Sequence, residues 1–309
     1  MAKKIIVDKA EEDPYFLAKE LEKGNILFFP TIPFPFPQNE IHFLLQQKQT
    51  QAKRRKNIAY KPQIDQITNH ESDEENAKIL KEILRRYSER VKGFLDLALT
   101  PYARHWKIDY TSFRPFQEKG RDLRLRARND LLHIDAFPTR PLHGHRIFRF
   151  FTNINPEMSR NWITSDPFAA LAEKYGGHGV PFPKSVDYSF FAKIRRKTQL
   201  FLRASGIKSN FRSPYDIFML QLHNFLKEST DFQKNCKKDY WDFPSNSCWA
   251  VFTDQVSHAA LSGQYALEQT FLIPVSAMLF PDKSPLRVLE RLSGRNLLDS
   301  ELEEKCFLR

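Results

Sequence analysis

The chain has 309 residues, 41% of them apolar and 13% aromatic, enough to fill a substantial core and to exclude a disordered or fibrous polymer. Its formal charge of +11 implies an anionic partner, which charge alone does not resolve among nucleic acid, anionic lipid and a phosphorylated or carboxylated small molecule. Three cysteines with no C-x-x-C pair exclude a disulfide framework and a thiolate zinc site, and no run approaches the ~18 apolar residues of a membrane span. Charged residues between Met1 and Asp13 stand where a secretory signal would carry its apolar stretch, so the expected location is the cytoplasm or a membrane surface facing it.

In chain order, residues 1–110 read as a mostly helical layer. Asn25 to Phe29 is a short buried strand, and Pro30, Pro33, Pro35 and Pro37 force an extended loop that ends near a helix opening at Asn39. This loop either exposes Phe34 and Phe36 or buries them. From Glu74 to Leu99 a stripe of Ile79, Leu80, Ile83, Leu84, Tyr87, Val91, Phe94, Leu95 and Ala98 recurs at helical spacing, which predicts a packing helix.

Residues 111–155 change texture to short strand-like runs separated by turn residues, the first half of a β core. Residues 156–245 read as a helical insertion, with Asp166-Pro167 and Ser213-Pro214 as N-cap and first-turn proline pairs. Strand character returns over 246–281, in Ser247 to Thr253 and Gln264 to Ile273. A C-terminal helix within 282–309 opens at Ser284-Pro285 and stops near Gly294. Strands split by an insertion, with helices at both ends, predict one α+β catalytic domain, 1–309, on an antiparallel barrel or jelly roll.

His133-Ile134-Asp135 carries the first chemical signal. Residues two apart on a strand point to one side, so an imidazole and a carboxylate there can chelate a divalent metal. With nine histidines in 309 residues, an H-x-D match arises by chance roughly 0.5 times, so the motif alone is weak. His258, between two later strand-like runs, supplies a third donor at the barrel mouth. Two histidines and one carboxylate leave three octahedral positions open, the facial triad of non-haem iron(II) oxygenases. Asp254 is the competing ligand, read here as a strand cap or a partner behind the ligands.

The stretch Leu131-Leu132-His133-Ile134-Asp135-Ala136-Phe137-Pro138-Thr139-Arg140-Pro141, continued by Arg146-Ile147-Phe148-Arg149 and Phe151-Thr152-Asn153-Ile154-Asn155-Pro156, resembles the bacterial Kdo 3-hydroxylases of the 2-oxoglutarate oxygenase superfamily. The tail Ser284-Pro285-Leu286-Arg287-Val288-Leu289-Glu290-Arg291-Leu292 is similar to their C-terminal helix. The resemblance implies a double-stranded β-helix, an Fe(II) centre with 2-oxoglutarate and O2 as co-substrates, and succinate and CO2 as co-products. It also implies an acceptor: Kdo, hydroxylated at C3 while attached to lipid A.

The superfamily often grips the distal carboxylate of 2-oxoglutarate with a basic residue on the strand after the second histidine. Here residues 259–274 contain neither Arg nor Lys. Arg149 is therefore the expected partner, in strand register with Asn153, with Arg146 in reserve and Gln269 or Tyr265 adding a hydrogen bond. Arg126, Arg128 and Arg140 are expected at the acidic sugar and its phosphates, with Arg124, Arg126 and Arg128 sharing a strand face. Blander readings go to His143-Gly144-His145, a surface loop near the site mouth, and to the basic run Lys53 to Lys56, a solvated face.

Two rivals stand beside this reading: an oxygenase of the same type acting on nucleic acid or protein, and a non-enzymatic β-barrel module that binds anionic lipid. For the reading adopted, no nucleic acid partner is expected, and contact with an anionic membrane is peripheral.

Overall fold

The structure, a computed structural model, describes residues 1–8, 13–48, 57–187, 198 and 212–299. Its frame is two facing sheets. The larger runs β1-β2-β9-β6-β11-β5-β3-β4, and the smaller β10-β7-β8. At the centre of the larger sheet, β6 (Arg146–Asn153) lies antiparallel between β9 (Ser247–Phe252) and β11 (Ala266–Ile273), and β11 pairs in turn with β5 (Lys107–Arg114). In the smaller sheet β7 (Arg160–Pro167) lies between β10 (Val256–Ser262) and β8 (Asp239–Phe243).

Strand alternation on β6 sets the layers. Phe148 and Phe150 point to an outer helical layer, where they meet Trp106, Phe29 and Phe94. Arg149 and Phe151 point the other way, into the space between the sheets, where Phe151 stacks on Trp249 and meets Trp162 edge-on. The outer layer is built on α3 (Glu74–Ala98), whose Leu80, Ile83, Leu84, Tyr87, Val91 and Leu95 are buried. Ile79, expected on that stripe, is exposed.

The proline loop folds back on this layer. Phe34 rests against Tyr87, Phe94 and Phe150, and Phe36 against Tyr87 and the Arg90 guanidinium, so these rings are part of the packing. The N-terminal layer is also less helical than expected. Beside α1 (Phe16–Glu22), α2 (Gln38–Leu45) and α3 it carries β1 (Lys4–Ile6), β2 (Ile26–Phe29), β3 (Ile58–Lys61) and β4 (Gln66–Thr68), which widen the larger sheet.

Residues 156–245 are likewise not a purely helical insertion, because they supply β7 and β8, two strands of the smaller sheet. The β7 strand shows no alternation of apolar and polar residues: Trp162 sits between the sheets and Ile163 packs under the helices, while Arg160, Thr164 and Ser165 are buried as well, so no period of two marks it as a strand. At its end Asp166-Pro167 does not cap a helix as expected; α4 (Phe168–Tyr175) starts after Pro167 with no side-chain cap. The second signal does: α5 (Pro214–Glu228) opens on a Ser213/Asp216 capping box. Helices α4, α5, α6 (Thr230–Asn235) and α7 (Pro285–Ser293) cover the outer face of the smaller sheet, and α7 ends at Gly294 in the left-handed region.

Candidate metal centre

The segment 129–135 pairs with β10 at one isolated bridge, His133 opposite His258, with backbone hydrogen bonds of 3.1 and 2.9 Å in both directions. Alternation then does the positioning. Leu132 and Ile134 turn outward into the core beneath α5, and His133 and Asp135 turn inward. On β10 the same rule sends Ala259 outward and His258 inward, where Trp162 stacks on its ring at 5.1 Å. The second histidine thus lies within a strand, one element deeper than its expected place between two strands.

These three side chains are buried and offer ligand atoms within 4.8 Å of one another. His133 Nδ1 donates to the Leu131 carbonyl at 2.7 Å and His258 Nδ1 to the Val256 carbonyl at 2.9 Å. A carbonyl only accepts, so the proton of each neutral ring sits on Nδ1, and Nε2 keeps its lone pair for a metal. Burial depresses both imidazoles and keeps them neutral.

Burial alone would raise Asp135, but the adjacent Arg149 guanidinium outweighs it and holds the carboxyl well below the usual range. Arg149 Nη2 stands 3.0 Å from Asp135 Oδ2 without hydrogen-bond geometry, so this buried oxygen has no hydrogen-bond donor. Two neutral Nε2 atoms and an ionised, under-satisfied carboxylate fit a divalent iron ion.

A cavity of about 200 Å³ opens on the trio. Among the expected co-substrate residues, Arg149 lines it, one guanidinium arm toward Asp135 and the other 2.6 Å from Glu268. Arg146 does not. Three positions from Arg149 on the same strand, it faces the helical layer, fully buried, with its guanidinium on Asp254 at 2.7 Å and over the Phe252 ring. Asp254 is correspondingly neither ligand nor support for one; it neutralises Arg146. Asn153 shares the Arg149 face but spends its amide on the Met158, Phe243 and Pro244 carbonyls. Gln269 bonds Thr111 and the Asp109 carbonyl.

Of the expected acceptor residues, Arg126 reaches the cavity rim and pairs with Glu228. Arg128 pairs with Asp130, while Arg140 pairs with Asp109 and lies over Tyr110 and Phe137. Arg124, Arg126 and Arg128 do not share a strand face, because Leu125–Ala127 is a 3₁₀ turn, in which residues two apart diverge. His143-Gly144-His145 is buried, not a surface loop: His143 faces Asp216 at 3.3 Å, and His145 bonds the Leu142 carbonyl. Lys53 to Lys56 lie outside the described residues.

The cavity has further walls that sequence reasoning did not single out. Arg114 and Arg160 line it, bound to Glu118 and, for Arg114, also to Glu268. His223 and Lys227 enter from α5, the His223 ring 5.0 Å from that of His133. The i, i+4 spacing of His223 and Lys227 was a legible signal, two polar residues buried among Met219, Leu222 and Leu226 on the inward side of the helix.

The family model for 3-deoxy-D-manno-oct-2-ulosonic acid (Kdo) hydroxylase matches residues 6–296. Among solved structures, the Kdo hydroxylase KdoO, a non-haem Fe(II) alpha-ketoglutarate-dependent dioxygenase, in complex with alpha-ketoglutarate and Fe(III), is 36% identical, with 96% of this chain and 97% of that one covered and a TM-score of 0.80. Its cobalt(II) complex matches at 36% identity, 96% and 98% coverage and TM-score 0.81. The complex with succinate and Fe(III) matches at 36% identity, 96% and 98% coverage and TM-score 0.79. No curated protein matches significantly. The fold is therefore the double-stranded β-helix that the resemblance implied, and the chain belongs to the Kdo hydroxylase family of Fe(II)- and 2-oxoglutarate-dependent dioxygenases.

Proposed function

We propose that this protein hydroxylates C3 of Kdo while the sugar is carried on lipid A, with His133, Asp135 and His258 holding the iron and Arg149 receiving the C5 carboxylate of 2-oxoglutarate. The observation that carries the reading is the inward convergence of the three ligand atoms on a cavity walled by cations. Iron so held, with 2-oxoglutarate and O2, supplies an oxidative decarboxylation to succinate and CO2 that is coupled to oxygen insertion into a C–H bond.

The residues of the chain orient and exclude. The Leu131 and Val256 carbonyls fix the tautomer of the two imidazoles. Glu268 holds one arm of Arg149, so the guanidinium stays at the cavity wall next to Asp135, with its Nε free of a hydrogen-bond partner for an incoming carboxylate. Trp162, Phe151 and Phe137 wall the cavity and keep water from the reacting carbon. No side chain needs to serve as general base.

An acceptor anchored by acyl chains must be met at a bilayer surface. No described helix is long and apolar enough to cross a membrane, and the net charge is +11, which supports peripheral contact with anionic lipid at the cytoplasmic face. The decisive test is anaerobic titration of the protein with Fe(II) and then 2-oxoglutarate, followed by oxygen and acceptor. A visible charge-transfer band and succinate release stimulated by Kdo-bearing lipid A are expected. Stimulation by an oligonucleotide instead would move the acceptor to nucleic acid, and no band at all would remove the iron site.

A further inference from the structure

The segment that joins Asp135 to β6 forms part of the cavity wall at Ala136, Phe137 and Pro138. Its backbone is held at several points. The Asp135 N–H donates to the Thr253 carbonyl at 2.9 Å, and the N–H groups of Leu142 and His143 donate to the Asp216 carboxylate. Between these ends the Arg212 guanidinium donates to the Phe137 and Pro138 carbonyls. None of these bonds fixes the Phe137 side chain, which has no polar atom of its own.

Two guanidinium groups meet that ring. Arg149, on the cavity wall, lies 5.7 Å from its centroid, and Arg140 lies 4.5 Å from it. Arg140 is not among the residues lining the cavity, and its side chain is 34% exposed, so it approaches Phe137 from outside. It is itself clamped to β5. The buried Asp109 carboxylate pairs with it, and the Tyr110 ring lies 4.0 Å from its guanidinium carbon. Gln269 donates to the Asp109 backbone carbonyl at 3.2 Å, which ties this anchor to β11. One row of contacts therefore runs from β5 through Arg140 and Phe137 to Arg149.

A guanidinium is planar and weakly hydrated, so it packs well on a ring face and is attracted to it. A ring over Arg149 also displaces water from that guanidinium, and its attraction to a carboxylate is stronger in water-poor surroundings. We infer that Arg140 is a positioning residue for the co-substrate: it acts through Phe137, keeping the ring over Arg149 and so strengthening the hold of Arg149 on the C5 carboxylate of 2-oxoglutarate. The sequence placed Arg140 at the acceptor, but its guanidinium is engaged by Asp109 and two rings outside the cavity. The inference rests on the role given to Arg149 above and adds a second layer to it.

The test is anaerobic titration of the Fe(II)-loaded protein with 2-oxoglutarate, read by the charge-transfer band, alongside the steady-state KM for a Kdo-bearing acceptor. Arg140→Met is expected to raise the Kd of 2-oxoglutarate about three- to thirty-fold, the range of one cation–π contact, and to leave KM for the acceptor unchanged. The same substitution made together with Asp109→Asn leaves no buried carboxylate unpaired and should give the same rise. Arg140→Lys, which keeps a cation for Asp109 and for the ring, should recover part of the loss. Phe137→Ala should weaken 2-oxoglutarate as much, and adding Arg140→Met to it should change the Kd no further, because both act through one ring. An unchanged Kd in Arg140→Met, a further loss in the Phe137→Ala background, or a raised acceptor KM with wild-type 2-oxoglutarate binding overturns the inference. Arg149→Ala separates it from the reading beneath it. If that variant binds 2-oxoglutarate as the wild type does, the role of Arg149 falls as well; if it binds weakly while Arg140→Met does not, only the inference falls.

Discussion

At the scale of the residue, the chemistry rests on donors whose protonation is dictated by neighbours. His133→Ala, Asp135→Ala and His258→Ala should each abolish succinate formation and bound iron while leaving the far-UV circular dichroism unchanged; wild-type iron content in Asp135→Ala would remove it as a ligand. Arg149→Ala should raise KM for 2-oxoglutarate by about ten- to a hundred-fold, and that for the acceptor far less, because a bidentate partner is lost. A co-substrate dependence unchanged in steady-state kinetics would transfer the role to Arg114 or Arg160 on the same wall. The charge cluster behind that wall sets an acid limit. Burial would raise Glu118, but Arg114, Arg160 and Arg121 together lower it from 4.5 to about 2. A carboxyl depressed on folding stabilises fully above its unfolded value and progressively loses that contribution as pH falls through the folded one. Glu118 therefore contributes on the order of 3 kcal/mol at neutral pH, lost between roughly pH 4.5 and 2. Urea melts across that window should show a flatter acid limb in Glu118→Gln.

At the scale of the element, alternation along a few strands decides what meets what. Parity alone separates Arg149, which faces the proposed metal ligands, from Arg146, which faces the helical layer, and it carries the outward Leu132 and Ile134 as well as the inward His133 and Asp135. That much was legible in the sequence. The strand β7 was not, because helices cover one face and a sheet the other, so Trp162 and Ile163 are both buried beside the equally buried Arg160, Thr164 and Ser165, and no alternation of polar and apolar residues marks it. Helix α5 shows a second kind of hidden information. Its Asp216 side chain accepts from the Ser213 backbone and hydroxyl and from the backbone N–H groups of Leu142 and His143, joining the helix to the loop before β6. Asp216→Ala would strand these buried donors and should cost about 3 kcal/mol in chemical denaturation. It should also raise KM for the acceptor, since α5 carries His223 and Lys227. An unchanged KM in a destabilised protein would show that the helix end does not position the cavity wall.

At the scale of the whole molecule, the excess of positive charge divides into buried and exposed parts. Arg114, Arg146 and Arg160 are consumed inside by carboxylates, so they add nothing to a membrane-facing surface. The proposed attraction to anionic lipid would come from the exposed cations, at roughly 1 kcal/mol each near the surface, and would weaken with salt. Sedimentation with anionic vesicles at low salt, and its loss at high salt, is the expected result; equal partitioning onto neutral vesicles would exclude an electrostatic contact. Phe34→Ser is expected to leave vesicle binding unaltered while lowering Tm, because that ring packs on Tyr87 and Phe150. The amino-acid sequence by itself determined the trio proposed as metal donors, the absence of a basic residue after His258, the long packing helix and the capped starts of two later helices, because each depends on residue type and on neighbours a few positions away. Only the tertiary structure decided which arginines reach the cavity, which are spent on Asp254, Glu118 or Glu268, and that a helix supplies Lys227 to the wall. Most of those outcomes depend on pairings between residues far apart in the chain, 108 positions for Arg146 with Asp254 and 119 for Arg149 with Glu268, where charge complementarity and burial choose the partner and no local pattern records the choice.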